Sequence, residues 1–216
     1  YLSCLFGYDR DRARQMARQM TSARPTEPWG WFALALCTQY TDEGRKASEK
    51  ALALNPRHPD FLYMRASSLM GMETEDVEQV VAFVDRHRSE VANPAELLVV
   101  KANALYFLGT QVRPNPRTVN EAFEILEEAR RLDPTNYQAI STSGFLLAIG
   151  DPDEGLPFLR EAIRLQPGSF WAHRSFWRAY NNLDPQRRQE LRKEIVADVE
   201  ETLARQKRLG VVPPEA

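Results

Sequence analysis

The stretch Asn120-Glu121-Ala122-Phe123-Glu124-Ile125-Leu126-Glu127-Glu128-Ala129-Arg130-Arg131-Leu132-Asp133-Pro134 carries the signal from which the fold of this chain is read. Ala122 and Ala129 lie seven positions apart, two turns of an α-helix, so both fall on one face. Small side chains there let a second helix approach closely. Phe123 and Leu126 continue the helical spacing of apolar residues between them. Pro134 then stops the helix, because the residue before a proline avoids the α region.

The same skeleton of small residue, small or apolar residue and proline returns at Ala13/Met20/Pro25, Gly44/Ala51/Pro56 and Gly155/Ala162/Pro167. Another helical stretch and a short polar break come before these skeletons. Glu27 to Tyr40 precedes Thr41-Asp42-Glu43, Ala95 to Leu108 ends at Gly109, and Tyr137 to Ile149 ends at Gly150-Asp151. A glycine after the last periodic residue is a common helix terminus. The unit is therefore helix, tight turn, helix, proline, with Pro134 and Pro167 33 residues apart and Pro25 and Pro56 31 apart.

In these residues, and in Lys46-Ala47-Ser48-Glu49-Lys50-Ala51-Leu52-Ala53-Leu54-Asn55-Pro56, the chain resembles the tetratricopeptide repeat (TPR) family, whose repeat is about 34 residues of paired helices. That family's first-helix signature is present in part. Trp29 and Trp31 open one first helix, while Phe107-Leu108-Gly109 and Leu5-Phe6-Gly7-Tyr8 close others. The resemblance implies an all-α fold, a right-handed superhelical solenoid of antiparallel helix hairpins. It has about five repeats and a long C-terminal capping helix.

On this reading residues 1–216 form one repeat domain. Its parts are a truncated first repeat (1–25), a repeat (26–58), a degenerate repeat (59–93), a repeat with an enlarged turn at 110–117 (94–135), a further repeat (136–168), and a last hairpin with its cap (169–210). In the degenerate segment Phe61 to Met70 and Glu75 to Val91 read as helices, and the small-residue skeleton fits Ala82/Ser89/Pro94 poorly. Pro114 and Pro116 are expected to keep the enlarged turn out of helix. Asp184 and Pro185 open the last helix, Leu191, Ile195, Val199 and Leu203 give it an apolar stripe, and Gly210 closes it. A frayed tail is expected over Val211 to Ala216.

Composition bounds the function. An apolar fraction of 43% and a charged fraction of 27% are those of a soluble globular protein. A formal net charge of −2 supplies no field toward nucleic acid or a lipid surface, and no apolar run is long enough to span a membrane. Cys4 and Cys37 lack the spacing of a metal or redox motif, which favours a reducing, cytoplasmic compartment. Tyr1 to Gly7 is too short for a signal sequence and matches only the second half of a first helix, so further sequence is expected upstream.

No chemistry-bearing motif is found. His58, His87 and His173 are scattered, Asp151-Pro152-Asp153-Glu154-Gly155 lacks the ligand alternation of a calcium loop, and nucleotide-binding or nucleophile-elbow glycine patterns are absent. The chain is read as a non-enzyme, with no catalytic residue, metal site or cofactor expected.

The resemblance does imply a binding surface. First helices of successive TPR repeats line a concave face that takes a peptide. By position this assigns partner contact to Trp29, Tyr63, Asn103, Tyr106, Tyr137, Arg174 and Arg178. A wider set adds Ala33, Ser67, Val99, Ile140, Gly144, Trp171 and Asn181. Val99 stands where the chaperone-binding subgroup has a clamp lysine, so chaperone peptides are not expected. Arg174 and Arg178 share a helix face and suit a protein partner with an acidic or carboxylate-terminated segment. The leading reading is a protein–protein interaction scaffold. The alternative is a regulatory or targeting domain of a longer enzyme whose catalytic part lies outside this chain. RNA binding is disfavoured because arginine does not recur at one inner position.

Overall fold

The computed structural model describes residues 10–39, 41–70 and 74–208. Among them are eleven α-helices and no strand: α1 (Arg10–Ala23), α2 (Pro28–Cys37), α3 (Asp42–Leu54), α4 (Pro59–Leu69), α5 (Thr74–His87), α6 (Ala95–Phe107), α7 (Pro116–Leu132), α8 (Tyr137–Gly150), α9 (Pro152–Leu165), α10 (Phe170–Asn182) and α11 (Pro185–Arg208). This is the all-α array of helical hairpins expected from the repeated skeleton. Cys4, Tyr40, the Leu5-to-Tyr8 turn, Gly210 and the tail lie outside the described residues.

Helix starts follow local chemistry. Thr41, Asn115, Asp151 and Ser169 each accept a backbone N–H of the following turn with a side-chain oxygen. Pro28, Pro59, Pro116 and Pro152 sit in the first turn, where the missing N–H has no partner to lose. Asp184 caps α11 by accepting from the N–H groups of Gln186 at 2.9 Å and Arg187 at 3.0 Å.

Two compact units divide between Thr142 and Ser143, within α8. In the first, α1 to α7 pack each on the next, and α2 packs on α4 and α4 on α6. The second helices of successive hairpins are tied by ion pairs. Arg18 of α1 makes a two-pronged bond to Glu43 of α3, both arms 2.8 Å, and Arg45 of α3 approaches Asp76 of α5 at 3.5 Å. Arg88, in the short 3-10 turn Arg88–Glu90, pairs with Glu128 of α7. Such exposed pairs contribute little to stability but align the helices they join. In the second unit Ala148, Leu156, Leu159, Phe176, Ala179, Leu183 and Leu191 form one core, with Ile195 packed against it.

The small-residue positions are where the helices of a hairpin meet. Ala13, Ala51, Ala122, Ala129 and Ala162 are fully buried. A Cβ at Gly44 would lie 2.2 Å from the carbonyl oxygen of Thr38, and one at Gly155 2.3 Å from that of Gly144. The helices therefore touch backbone to backbone at these two turns. At Met20 the backbone and Cβ lie against α2, where a Cβ on Gly30 would meet both at 3.4 Å, while the rest of the side chain is exposed and Ala17 and Thr21 are buried beside it.

In the degenerate repeat, where the small-residue skeleton fits poorly, Ala82 and Ser89 are exposed, and Val77, Val80 and Val84 are the buried face of α5. Branched side chains fill the interface there. The expected loop at 110–117 is largely helical, since a π-helical turn, Leu108–Val112, prolongs α6 and α7 begins at Pro116. Extra residues in a helix can be absorbed by such a widened turn. Pro116 opens a helix rather than forbidding one, because it sits at its N-terminus.

Gly155→Ala and Gly44→Ala are each expected to cost about 3 kcal/mol by forcing backbones apart. Urea titration followed by circular dichroism measures this; wild-type stability in both variants would mean that the close approach is not required.

Candidate partner-binding surfaces

The expected contact residues fall in both units, so each surface stands alone. In the first unit Trp29 is 44% exposed. Its ring stands edge-on to Phe32, His58 and Phe61, with centroids at 5.5, 5.0 and 4.9 Å, and His58 stacks on Phe61 at 4.4 Å. Trp29 is thus half-exposed, and its buried side is a packing element joining α2 to α4. Tyr63, Asn103, Tyr106 and Tyr137 are part-exposed. Tyr106 meets Phe123 of α7 edge-on at 6.1 Å, and burial pushes its phenol above the ordinary value. Ala33, Val99 and Ile140, from the wider expected set, are buried and serve packing rather than a free surface.

Several charges in this unit are paired. Lys101 of α6 is buried and donates to Asp85 of α5 at 2.6 Å. Arg65 donates to the carbonyl oxygen of Arg45 at 3.1 Å and lies 3.7 Å from Glu49. Glu96, in the first turn of α6, is half-buried; burial first, then the charges of Asp60 and Asp133, raise its carboxyl above the ordinary range. The Cys37 thiol is pushed up by burial, with Arg14 opposing, so it is protonated at neutral pH and a poor nucleophile.

In the second unit α10 buries Ala172, Ser175, Phe176 and Ala179 and leaves its opposite face open. That face carries Phe170 at 76% exposure, Trp171 at 45% and Trp177 at 53%, together with Arg174, Arg178 and Asn181. Phe145 of α8 lies against Trp171 at 5.3 Å, and the Arg178 guanidinium sits over the Phe145 ring at 5.6 Å. Gly144, an expected groove residue, is buried against Gly155 and is a packing position. Phe170 and Trp177 were not among the expected contacts. The signal for them was present: residues 170, 174, 177 and 181 share the face opposite the buried set.

Among the described residues no group of three or more His, Cys, Asp and Glu is placed to hold a metal ion, and no helix is long and apolar enough to cross a membrane. No protein-family model matches the chain, and no curated protein matches it in sequence. Its fold, however, is that of a solved structure, the thermophilic TPR protein TTC0263 of Thermus thermophilus. The two superpose with a TM-score of 0.62 at 17% identity, over 79% of this chain and 90% of that one.

This chain has the TPR fold. Two other TPR-related structures were found at lower similarity. One is YrrB, described as a TPR protein with an unusual peptide-binding site (TM-score 0.43, 18% identity, 81% of this chain and 87% of that one). The other is MamA (TM-score 0.43, 16% identity, 94% and 97%). Within the TPR fold α2, α4, α6, α8 and α10 are first helices, and all seven expected contact residues lie on them. Val99, where the clamp lysine of the chaperone-binding subgroup would stand, is buried and so lies in the core.

The Glu96 environment yields a signed pH effect. Its raised folded-state pKa means that the charged carboxylate destabilises the fold above that value. The penalty is relieved as pH falls through the raised value toward the ordinary carboxylate range. Glu96→Gln is expected to raise the Tm at pH 7 by no more than about 3 °C, with the advantage shrinking on acidification. Thermal denaturation across a pH series checks this; a lowered Tm at pH 7 would contradict it.

Proposed function

We propose that this chain is a protein–protein interaction scaffold that holds a peptide segment of its partner against the exposed faces of its first helices. One observation carries the reading: aromatic and polar side chains stay accessible on helices whose other faces are fully committed to the core. In the first unit these are Trp29, Tyr63, Asn103, Tyr106 and Tyr137. Aromatic residues of this kind supply large contact area at low entropic cost, and a few of them dominate most interfaces. In the second unit the same role falls to α10, with Arg174 and Arg178. YrrB, the distant structural neighbour, is described as having a peptide-binding site of its own.

The test is selection of peptides from a random display library on the purified chain. Enriched peptides, resynthesised, are expected to bind the first unit's face and to lose about tenfold in affinity on Asn103→Ala/Tyr106→Ala substitution, read by fluorescence anisotropy. Far-ultraviolet circular dichroism of the variant confirms that the helices remain. Failure to enrich any peptide, or affinities untouched by substitutions on both units, would refute the scaffold reading.

A further inference from the structure

The open face of α10 differs in charge from the first helices of the first unit. Two of those carry carboxylates in their first turns, Asp60 in α4 and Glu96 in α6, while α2 carries none. Neither α8 nor α10 contains an aspartate or glutamate, and neither does the Gln166-Pro167-Gly168-Ser169 turn that leads into α10. The acidic residues described for the second unit lie on α9, on α11 and in their caps. Several are used there: Asp153 and Glu194 pair with Arg187 at 2.7 and 2.9 Å, and Glu161 pairs with Arg164 at 2.6 Å. Arg174 and Arg178 have no ion pair among the described residues.

Two unpaired guanidiniums thus stand among three exposed aromatic rings. Resting on the proposed scaffold role, we infer that the α10 face takes an internal acidic segment of a protein. Its core is two acidic residues separated by one, flanked by apolar side chains. Arg174 and Arg178 are four residues apart, about 6 Å along the helix axis. In an extended peptide alternate side chains point the same way and recur about every 6.6 Å, close to that spacing. Each guanidinium then meets its own carboxylate. Phe170 lies one further helical step before Arg174, so an apolar residue two places beyond the acidic pair reaches it. Phe145 already holds Arg178 from one side through its ring face, which limits the rotamer freedom lost on binding. A strand of nucleic acid would need a longer run of cations than these two.

The experiment selects random peptides in parallel on the wild-type chain and on Arg174→Glu/Arg178→Glu, both checked for equal helicity and Tm. Wild type is expected to enrich acidic pairs at alternate positions with apolar flanks. Such a peptide, N-acetylated and C-amidated, should keep its affinity and bind the charge-reversed chain at least about tenfold more weakly, as two lost exposed ion pairs imply. Its binding should weaken with added salt.

Peptides bound at the first unit's face should be enriched equally by both chains. If the set enriched by the wild type and lost with the charge reversal is empty, neutral or basic, the inference is overturned while the scaffold reading stays intact. A need for a free C-terminal carboxylate would replace the internal pair by a terminal one, and so overturn it too. If the wild type enriches nothing, the scaffold reading falls with it. Retention of a single-stranded oligonucleotide by the wild type alone would then assign the face to nucleic acid.

Discussion

Everything in this molecule depends on how closely the two helices of a hairpin can approach. At Gly44 and Gly155 the space a Cβ would need is occupied by a neighbouring backbone carbonyl. Elsewhere Ala51, Ala122, Ala129 and Ala162 leave just enough room. Short separation allows many atoms to reach contact distance at once, and dispersion and apolar burial accumulate from that. With so thin an interface each hairpin buries only part of its apolar surface by itself, and the remainder is covered by the next hairpin in its unit. The repeated skeleton is the chemical form of that requirement.

Packing of first helix on first helix, and the ion pairs from second helix to second helix, then divide the labour. The former removes apolar area from water; the latter, Arg18 with Glu43 or Arg187 with Asp153, constrain orientation at the solvent side. Two places tolerate departures from the pattern. In α5 valines replace the small residues, and after α6 a widened helical turn takes up the additional length. Both keep the hairpin closed, because the interface needs filled volume and satisfied backbone rather than a particular sequence.

The two units present different chemistry on equivalent helices. First-turn carboxylates in α4 and α6 favour the positive end of the helix dipole, while burial first and then the charge of Asp60 raise the cost of keeping Glu96 charged. On α10 that acidic element is missing, and exposed rings with arginine take its place. Similar hairpins can therefore present different side-chain chemistry without any change of fold.

Most of the architecture was legible before the structure because its determinants are local: helical periodicity, proline stops, capping residues such as Asp151 and Asp184, and small residues two turns apart. Where the reading strayed, the deciding interaction was not local. Pro116 lies in a stretch that reads as loop, yet the preceding turn could widen and the proline could open a helix. Met20 matched the skeleton and its Cβ does lie against Gly30 of α2, but the rest of its side chain is left to solvent. Of the expected contact surface, the identity of the first helices was readable from the repeat. Exposure was not. Ala33, Val99, Ile140 and Gly144 share those helices but are covered by neighbours, while Phe170 and Trp177 remain open because no described segment packs over them. By itself the sequence determined which segments are helices and which residues could join them, since both follow from spacing along one chain. Only the tertiary structure decided which side chains are left for a partner, since that depends on what lies across from each of them.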